Sequence, residues 1–440
     1  MRQTRNRLVL LALLAALCLS MTPLASAQSY AYDTAGRLVR VAYAAGGGAS
    51  YQYDAADNLL AVVPLSLRPA PSGVEVTRLS PTSARVTWDA DSGATGYVIE
   101  RRRAGTTAWE EIATVSAGST TFIDPNLEPG VEYSYRVAAL SADGKSAYSP
   151  EATFLTLPSP AISQNGIVNG ASFSSGQPIA PGSIISIFGP NIGIRLGAEG
   201  IEAFSQGAAS IPLATTLGGH SVLFDGVEAP LFFVGGQAAA AVSASPSPSQ
   251  AGFTGQINAQ VPWNVEPGSV EVVIRRESDG QILESDPAEV AVSAVSPALF
   301  TFDFGPGRAA ALNVKVEPND GVIDGSIAQP ENSIAGVTTQ PARLGGVVTL
   351  YVNGLGPVDP PAVTGQNSLD ALREATIAPR VFVGNAEAQV LFAGLTPQFV
   401  GLCQINIVIP QATIPSNQVL VRIEQGGVMS RADVTIAVRP

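Results

Sequence analysis

A short stretch that decides the fold occurs twice, first as Gln256-Ile257-Asn258-Ala259-Gln260-Val261-Pro262 and again as Gln404-Ile405-Asn406-Ile407-Val408-Ile409-Pro410. In both copies polar and apolar residues alternate, which is the pattern of a half-buried strand, and a proline ends the run. A Gly/Phe-rich segment precedes each copy and a Val/Ile-rich strand follows it. The duplication indicates two related β-domains in the C-terminal part of the chain.

The segments around this stretch recur in the same order. An apolar run at 181–189 corresponds to one at 346–354, and a second pair of runs, 221–233 and 380–392, contains Asp-Gly in the first copy and Gly-Asn in the second. Such dipeptides between alternating runs are strong β-hairpin signals. Each copy therefore predicts a small immunoglobulin-like β-sandwich.

The composition favours β-modules in series. The chain has 440 residues, and a single hydrophobic core stops growing near roughly 250–300 residues. Glycine and proline are abundant, only 14% of residues are charged, and no long helix-period pattern follows the N-terminus. These features predict several all-β domains.

Residues 1–27 have the pattern of an export signal. Three arginines precede an apolar run, 8–19, that is too short to span a bilayer, and Ala25-Ser26-Ala27 forms a small-x-small cleavage site. We expect export with a mature chain that begins at Gln28, no transmembrane segment, and a secreted, extracellular or cell-surface location.

The charge balance argues against a nucleic-acid partner. Removing the three leader arginines from the 24 basic residues leaves 21, against 36 acidic ones. The densest basic cluster, Arg101-Arg102-Arg103, is too short to follow a phosphate backbone. The acidity itself indicates solubility rather than a particular partner.

Residues 28–63 contain a tandem repeat with a period of 21. Tyr-x-Tyr-Asp begins each copy, and the recurring pairs are Tyr30 and Tyr51, Tyr32 and Tyr53, Asp33 and Asp54, Leu38 and Leu59, and Val41 and Val62. The pattern resembles the YD repeat of Rhs and teneurin-type surface proteins, in which many copies form a large β-shell. Because repeat units need several neighbours to bury their faces, two copies predict a small pair of hairpins packed on a neighbour.

Residues 64–158 alternate in the manner of a β-sandwich of standard size. Trp88 and the motif Leu127-x-Pro129-Gly130-x-x-Tyr133 resemble those of a fibronectin type III domain. The resemblance implies that Trp88 packs in the core and that the Tyr133 hydroxyl bonds to the upstream backbone. The chain lacks Arg-Gly-Asp, so integrin-type recognition has no support.

Residues 159–440 carry several spaced motifs, among them Asn169-Gly170-Ala171-Ser172-Phe173 and the stretch ending in Trp263. Their order resembles the Solibacter-type C-terminal domain of secreted acidobacterial proteins, with sandwiches of the IPT/TIG kind. The resemblance implies a terminal module of exported proteins that associates with the cell surface, and it implies no established activity.

The sequence thus predicts an all-β chain of tandem immunoglobulin-like and fibronectin type III β-sandwiches with a short N-terminal YD-repeat hairpin region. The expected domains are a signal peptide (1–27), a YD-repeat remnant (28–63), a fibronectin type III domain (64–158), a first sandwich (159–296), a connector (297–342) and a second sandwich (343–440).

Residues for catalysis or metal binding are scarce. His220 is the single histidine, so no Ser/His/Asp triad can form without it, and no Gly-x-Ser-x-Gly elbow occurs. Cys403, the one cysteine after the leader, is expected to be a small buried hydrophobe. Asn319, Asp320 and Asp324 lack the pattern of an EF-hand. We therefore expect that the protein is not an enzyme and that it has no metal site and no cofactor.

The duplicated stretch supplies the candidate binding residues. The amides of Gln256, Asn258, Gln404 and Asn406, with Trp263 nearby, could hydrogen-bond and stack on a sugar. The alternative is that these amides satisfy backbone groups at a strand crossover.

The sequence favours a non-catalytic binding or adhesion scaffold, with a cell-envelope polysaccharide or a surface protein as its partner. The alternatives are a structural spacer from a larger Rhs-like surface protein and a glycan-acting enzyme, which would need two acids flanking a cleft.

Overall fold

The computed structural model describes residues 28–197, 200–238, 253–315 and 322–440. The expected leader lies outside these residues. Every regular element among them is a β-strand, which confirms the all-β fold class. The chain divides into two units, the first ending at Leu157 and the second beginning at Pro158.

The first unit opens with a four-stranded antiparallel sheet made by the tandem repeats. Each repeat is one hairpin, and its aspartate fixes the turn. Asp33 Oδ1 accepts the backbone N–H of Arg37 at 2.9 Å, and Asp54 Oδ1 accepts that of Asn58 at 2.8 Å. The strands, in their order along the sheet, are β1 (Gln28–Tyr32), β2 (Leu38–Tyr43), β3 (Gly48–Tyr53) and β4 (Leu59–Leu65).

The rest of this unit is a β-sandwich. Trp88 and Tyr133 lie in its core, and Tyr133 Oη accepts the backbone N–H of Glu128 at 3.2 Å, the bond that the resemblance implies. The repeat sheet packs on this sandwich through a small buried cluster that includes Ala42 and Ala147. One layer has β5 (Glu75–Ser80), β6 (Ser83–Thr87) and β9 (Thr121–Asp124); the other has β7 (Gly96–Arg103), β8 (Glu110–Ser116), β10 (Glu132–Ser141), β11 (Gly144–Lys145) and β12 (Ala152–Leu155).

The second unit begins with a sandwich of two five-stranded sheets and a separate two-stranded ribbon. The first sheet has the order β13-β14-β21-β20-β17, and in the other sheet β22 pairs with β18, β23 and β24. The strands are β13 (Ile167–Asn169), β14 (Ile184–Pro190), β15 (Ile194–Gly197), β16 (Gly200–Ala203), β17 (Ser205–Gly207), β18 (His220–Phe224), β19 (Val227–Glu228), β20 (Leu231–Ala238), β21 (Phe253–Gln260), β22 (Gly268–Ser278), β23 (Gln281–Glu284) and β24 (Ala288–Val292).

The following sandwich repeats this order, but pairing between two of its strands, β33 and β34, joins both layers into one fourteen-stranded sheet. Its strands are β25 (Ala298–Leu299), β26 (Gly307–Arg308), β27 (Ala311–Lys315), β28 (Val322–Ile327), β29 (Ala342–Arg343), β30 (Val347–Asn353), β31 (Val358–Asp359), β32 (Glu374–Ala375), β33 (Arg380–Val383), β34 (Ala386–Leu395), β35 (Cys403–Val408), β36 (Ser416–Gln425), β37 (Val428–Met429) and β38 (Val434–Arg439).

The duplicated stretches occupy equivalent strands in the same register. In the first sandwich β21 lies between β14 and β20, and in the second β35 lies between β30 and β34. Asn258 stands opposite Ser186, and Asn406 stands opposite Thr349. The duplication seen in the sequence is therefore a duplication of structure.

Buried amides tie the two sandwiches of the second unit together. Asn353 Nδ2 donates to Asn169 Oδ1 at 2.8 Å and to the carbonyl of Ile184 at 2.7 Å. Asn353 Oδ1 accepts the N–H of Ile184 at 2.9 Å. Since buried polar groups are costly when unpaired, these bonds fix how the sandwiches meet.

Candidate binding site

A cavity of about 460 Å³ lies on the face of the β14–β21 pair that points away from the first sandwich core. We call it the amide cavity, because Gln256 and Asn258 form its floor together with Ser186. Inward-pointing Ile185 and Ile257 alternate with these residues and are fully buried. Strand alternation therefore places apolar side chains in the core and polar ones under the cavity.

The floor is a connected hydrogen-bond network. Asn258 Oδ1 accepts the hydroxyl of Ser186 at 2.9 Å and the side-chain amide of Gln256 at 2.6 Å. Among the described residues, Asn258 Nδ2 and Gln256 Oε1 have no hydrogen-bond partner. One donor group and one acceptor therefore remain for a ligand.

Phenylalanines form the walls of the amide cavity. Phe173 lies beside Phe188 with ring centroids 6.4 Å apart, and Phe300 and Phe304 come from the connector. Phe304 is 80% exposed. An exposed phenylalanine contributes little to the core, so the side chain of Phe304 is accessible to a ligand.

Two of these wall residues have unusual backbone conformations. Phe173 has φ +51° and Phe304 has φ +52°, in the left-handed region that bulky residues rarely adopt. Such strain persists where the surroundings enforce it, and it clusters at functional sites. Two strained phenylalanines on one cavity are the strongest local indication of a binding site.

The loop that carries Phe304 is held from both sides. Thr301 Oγ1 donates to the carbonyl of Gly305 and accepts its N–H, both at 3.0 Å. Asp303 pairs with the guanidinium of Arg308, and this hydrogen bonding lowers the pKa of the Asp303 carboxyl. The side chain of Phe304 is thus presented by a loop with fixed ends.

Two further cavities adjoin the amide cavity. A glycine-rich one of about 430 Å³ shares Gln256, and an apolar one of about 700 Å³ shares Ile184 and Phe300. No Asp, Glu, Lys, Arg or His is among the described residues that line the three cavities.

The other candidate residues lie elsewhere. Gln404 and Asn406 are on β35 of the second sandwich, where Asn406 Oδ1 accepts the hydroxyl of Thr349 at 2.8 Å. Trp263 packs against the core of the second sandwich, and its backbone N–H donates to Thr364 Oγ1 at 3.1 Å. The structure thus brings Gln256 and Asn258 to the cavity, and does not bring Trp263, Gln404 or Asn406 there.

His220 and Cys403 are buried. The His220 Nδ1 lies 2.9 Å from the carbonyl of Gly218, its Nε2 accepts the N–H of Gly193, and burial lowers its pKa to about 4. Cys403 is the buried small hydrophobe that the sequence predicts, and burial raises the pKa of its thiol to about 12. Of the three residues compared above with an EF-hand loop, Asn319 and Asp320 fall outside the described residues.

Within the described ranges, no three His, Cys, Asp or Glu side chains are grouped so that they could hold a metal ion. A helix of the length and hydropathy needed to cross a membrane is also not found there.

Sequence reasoning missed the wall of the amide cavity. Phe173 stands in a quoted motif, but Phe300 and Phe304 belong to the connector, which was given no function. The available signal was the spacing of aromatic residues in Phe300-Thr301-Phe302-Asp303-Phe304, directly before Gly305-Pro306-Gly307. Phenylalanines grouped beside turn-forming residues are a surface feature rather than a core pattern.

Comparison with known proteins identifies the modules of the first unit. Residues 69–154 match the fibronectin type III domain family and residues 32–63 match the RHS repeat family. The chain therefore contains a fibronectin type III domain and an RHS repeat, a combination that suggests a surface or binding scaffold.

Solved structures similar to this chain include a myokine structure, at 30% identity over 20% of this chain and 96% of that one, with a TM-score of 0.19. A Fn3-like protein from Clostridium thermocellum has 32% identity over 19% of this chain and 86% of that one, with a TM-score of 0.17. The FN5 domain of Drosophila Lar has 27% identity over 20% of this chain and 95% of that one, with a TM-score of 0.18.

Proposed function

We propose that this protein is a non-catalytic adhesion scaffold of the cell exterior, and that the amide cavity binds an uncharged polysaccharide of the cell envelope. The observation that carries the proposal is the pair of phenylalanines, Phe173 and Phe304, held at positive φ over a floor of amides.

The chemistry of the cavity fits a neutral sugar. Phenyl faces stack on the apolar C–H faces of a pyranose ring, while Asn258 Nδ2 can donate to a sugar hydroxyl and Gln256 Oε1 can accept from one. The described lining of the amide cavity offers no ionisable side chain to pair with a uronate or phosphate group. A neutral chain loses no charge solvation on entering such a site.

The location proposal has three supports. The leader pattern of 1–27 is typical of an exported protein. The fibronectin type III domain and RHS repeat are modules of surface or extracellular scaffolds. The resemblance of residues 159–440 to the Solibacter-type C-terminal domain, with its IPT/TIG-like sandwiches, adds the expectation of a terminal module displayed on the cell surface.

The test is binding of the chain from Gln28 to a panel of neutral and acidic envelope polysaccharides, with variants in matched pairs. Phe304→Ala is expected to weaken binding at least tenfold, while Ile414→Ala, which removes an equally exposed side chain (81%) from the second sandwich, leaves it unchanged. Gln256→Ala is likewise expected to weaken binding, and Gln404→Ala is its control on the equivalent strand.

Each outcome has a definite meaning. Saturable binding to a neutral polysaccharide that falls only in the Phe304 and Gln256 variants supports the proposal. Equal losses of binding affinity in both variants of a pair would show that the polysaccharide does not bind at the amide cavity. No binding to any polysaccharide in the panel would favour the structural spacer. The hydrogen bonds of the Asn353 side-chain amide between the two C-terminal sandwiches already supply the rigidity that a spacer needs.

A further inference from the structure

The apolar cavity beside the amide cavity has a different chemistry. Ten of its eleven described lining residues are apolar, and Ser210 is the exception. Two of them, Phe399 and Ile211, are 59% and 46% exposed although both are large hydrophobic residues. Its volume of about 700 Å³ falls within the usual range of small-molecule sites, roughly 300–1,000 Å³.

A sugar is a poor occupant for this part of the surface. Hydroxyl groups that enter an apolar cavity lose their bonds to water and find few partners there. An alkyl chain has no such groups, and it gains by leaving water in proportion to the area it buries. The lining of the apolar cavity therefore selects a hydrocarbon.

The two cavities share two lining residues, Ile184 and Phe300. A ligand that extends past these residues contacts amide groups on one side and apolar side chains on the other. The apolar cavity is built from both sandwiches, since Phe232 belongs to the first and Phe399 to the second. The buried hydrogen bonds of Asn353 hold these sandwiches together, so their contact is a preformed feature of the second unit.

We propose that the complete site binds an amphiphile, an uncharged sugar head in the amide cavity with an alkyl or acyl chain in the apolar cavity. The proposal rests on the proposed function for its sugar half. The ligand class is a neutral glycolipid or an acylated neutral glycan, which share this chemistry.

The probes are n-octyl, n-decyl and n-dodecyl maltoside, each below its micelle concentration, titrated calorimetrically into the chain from Gln28. Maltose is the headgroup control, and dodecyl sulfate is the charged-head control. A fully buried methylene raises affinity by roughly fourfold. With partial burial, the four methylenes between octyl and dodecyl are expected to raise affinity by at least about tenfold.

Variants separate this site from general detergent binding. Phe399→Asp places a charge at the mouth of the apolar cavity and is expected to remove the dependence on chain length. Ile414→Asp adds the same charge at another exposed apolar position and leaves that dependence intact. Thermal unfolding of both variants checks that the fold is retained, and a second substitution, Ile211→Asp, repeats the test at another exposed residue of the lining.

If the affinity for the maltosides does not depend on alkyl chain length, the proposal that the site binds an amphiphile is wrong. Polysaccharide binding that is lost in Phe304→Ala would still support the proposed function in that case. Dodecyl sulfate bound as tightly as dodecyl maltoside would overturn the sugar-head part. Chain-length dependence that survives Phe399→Asp and Ile211→Asp would place the hydrocarbon elsewhere and overturn the assignment. Binding of a neutral glycolipid, compared with that of a free glycan that carries the same acyl chain on its sugar, then distinguishes the two sources.

Discussion

The two C-terminal sandwiches share one strand framework but differ in what covers it. Both place an asparagine of the duplicated stretch opposite a hydroxyl residue, Asn258 with Ser186 in the first and Asn406 with Thr349 in the second. In the first sandwich, connector phenylalanines form walls above this pair. What the copies share is therefore structural, and what differs between them points to function.

The largest expected difference in stability between the two sandwiches concerns Trp263 and its counterpart Gln411. Both follow the proline that ends the duplicated stretch, and each lies over a glycine of positive φ, Gly182 or Gly345. Trp263 also packs on the core of the other sandwich, whereas Gln411 is exposed. We expect Trp263→Ala to lower the free energy of unfolding by roughly 3–4 kcal/mol and Gln411→Ala by less than about 0.5 kcal/mol.

Urea unfolding of the two variants measures this difference. A control is sugar binding at low denaturant, which Trp263→Ala should leave intact in the folded fraction because Trp263 does not line the amide cavity. Selective loss of binding with unchanged stability would instead make Trp263 a ligand contact.

Acid is expected to destabilise the first sandwich through His220. The equivalent position of the second sandwich holds Pro379, which does not titrate. The folded His220 has its pKa lowered from 6.5 to about 4, by burial first and by the charge of Arg276 second. The unfolded chain binds the proton more readily than the folded chain. The contribution of neutral His220 to the free energy of unfolding is therefore fully present above pH 6.5, and it is lost as the pH falls toward 4. The loss amounts to about 3 kcal/mol, with no further contribution from this group below pH 4.

Urea midpoints between pH 7 and pH 4 measure this loss, and His220→Gln is the control. The variant should be less stable at pH 7 but should lack the decline between pH 6.5 and pH 4. An equal decline in both proteins would assign the acid sensitivity to other groups.

A smaller and equal effect on stability is expected from the two asparagines. Asn258→Ala and Asn406→Ala each leave a hydroxyl, Ser186 or Thr349, without its acceptor, which costs about 1–2 kcal/mol. Polysaccharide titration should separate the variants, because only Asn258 lies in the amide cavity. Equal effects on binding would make the duplicated stretch a purely structural element.

The framework was accessible from the sequence because it depends on local patterns. Alternation around Gln256 and Gln404 gives two equivalent strands, and Asp33 and Asp54 mark the turns of the repeat hairpins. The core position of Trp88 came from the resemblance to the fibronectin type III domain, and Trp88 does lie in that core.

The complete site was not accessible, because its parts are distant in the sequence. Gln256 and Phe304 meet at one cavity although the second sandwich sheet begins between them at β25. The left-handed conformation of Phe304 follows from the Thr301 and Asp303 contacts of its loop, and phenylalanine has no intrinsic preference for it. Trp263 was a reasonable candidate in sequence, but only the packing of the two sandwiches shows what it contacts.

The smallest expected effect on stability is the most informative about the site. Phe304 is mostly exposed and has φ +52°, so replacing it with glycine removes strain while little packing is lost. We expect Phe304→Gly to raise the free energy of unfolding by about 0.5 kcal/mol, and Phe304→Ala, which keeps a Cβ at this φ, to gain less. Both should weaken sugar binding. A residue whose removal stabilises the fold and weakens binding is retained for the ligand, whereas a loss of stability in Phe304→Gly would show that Phe304 serves packing.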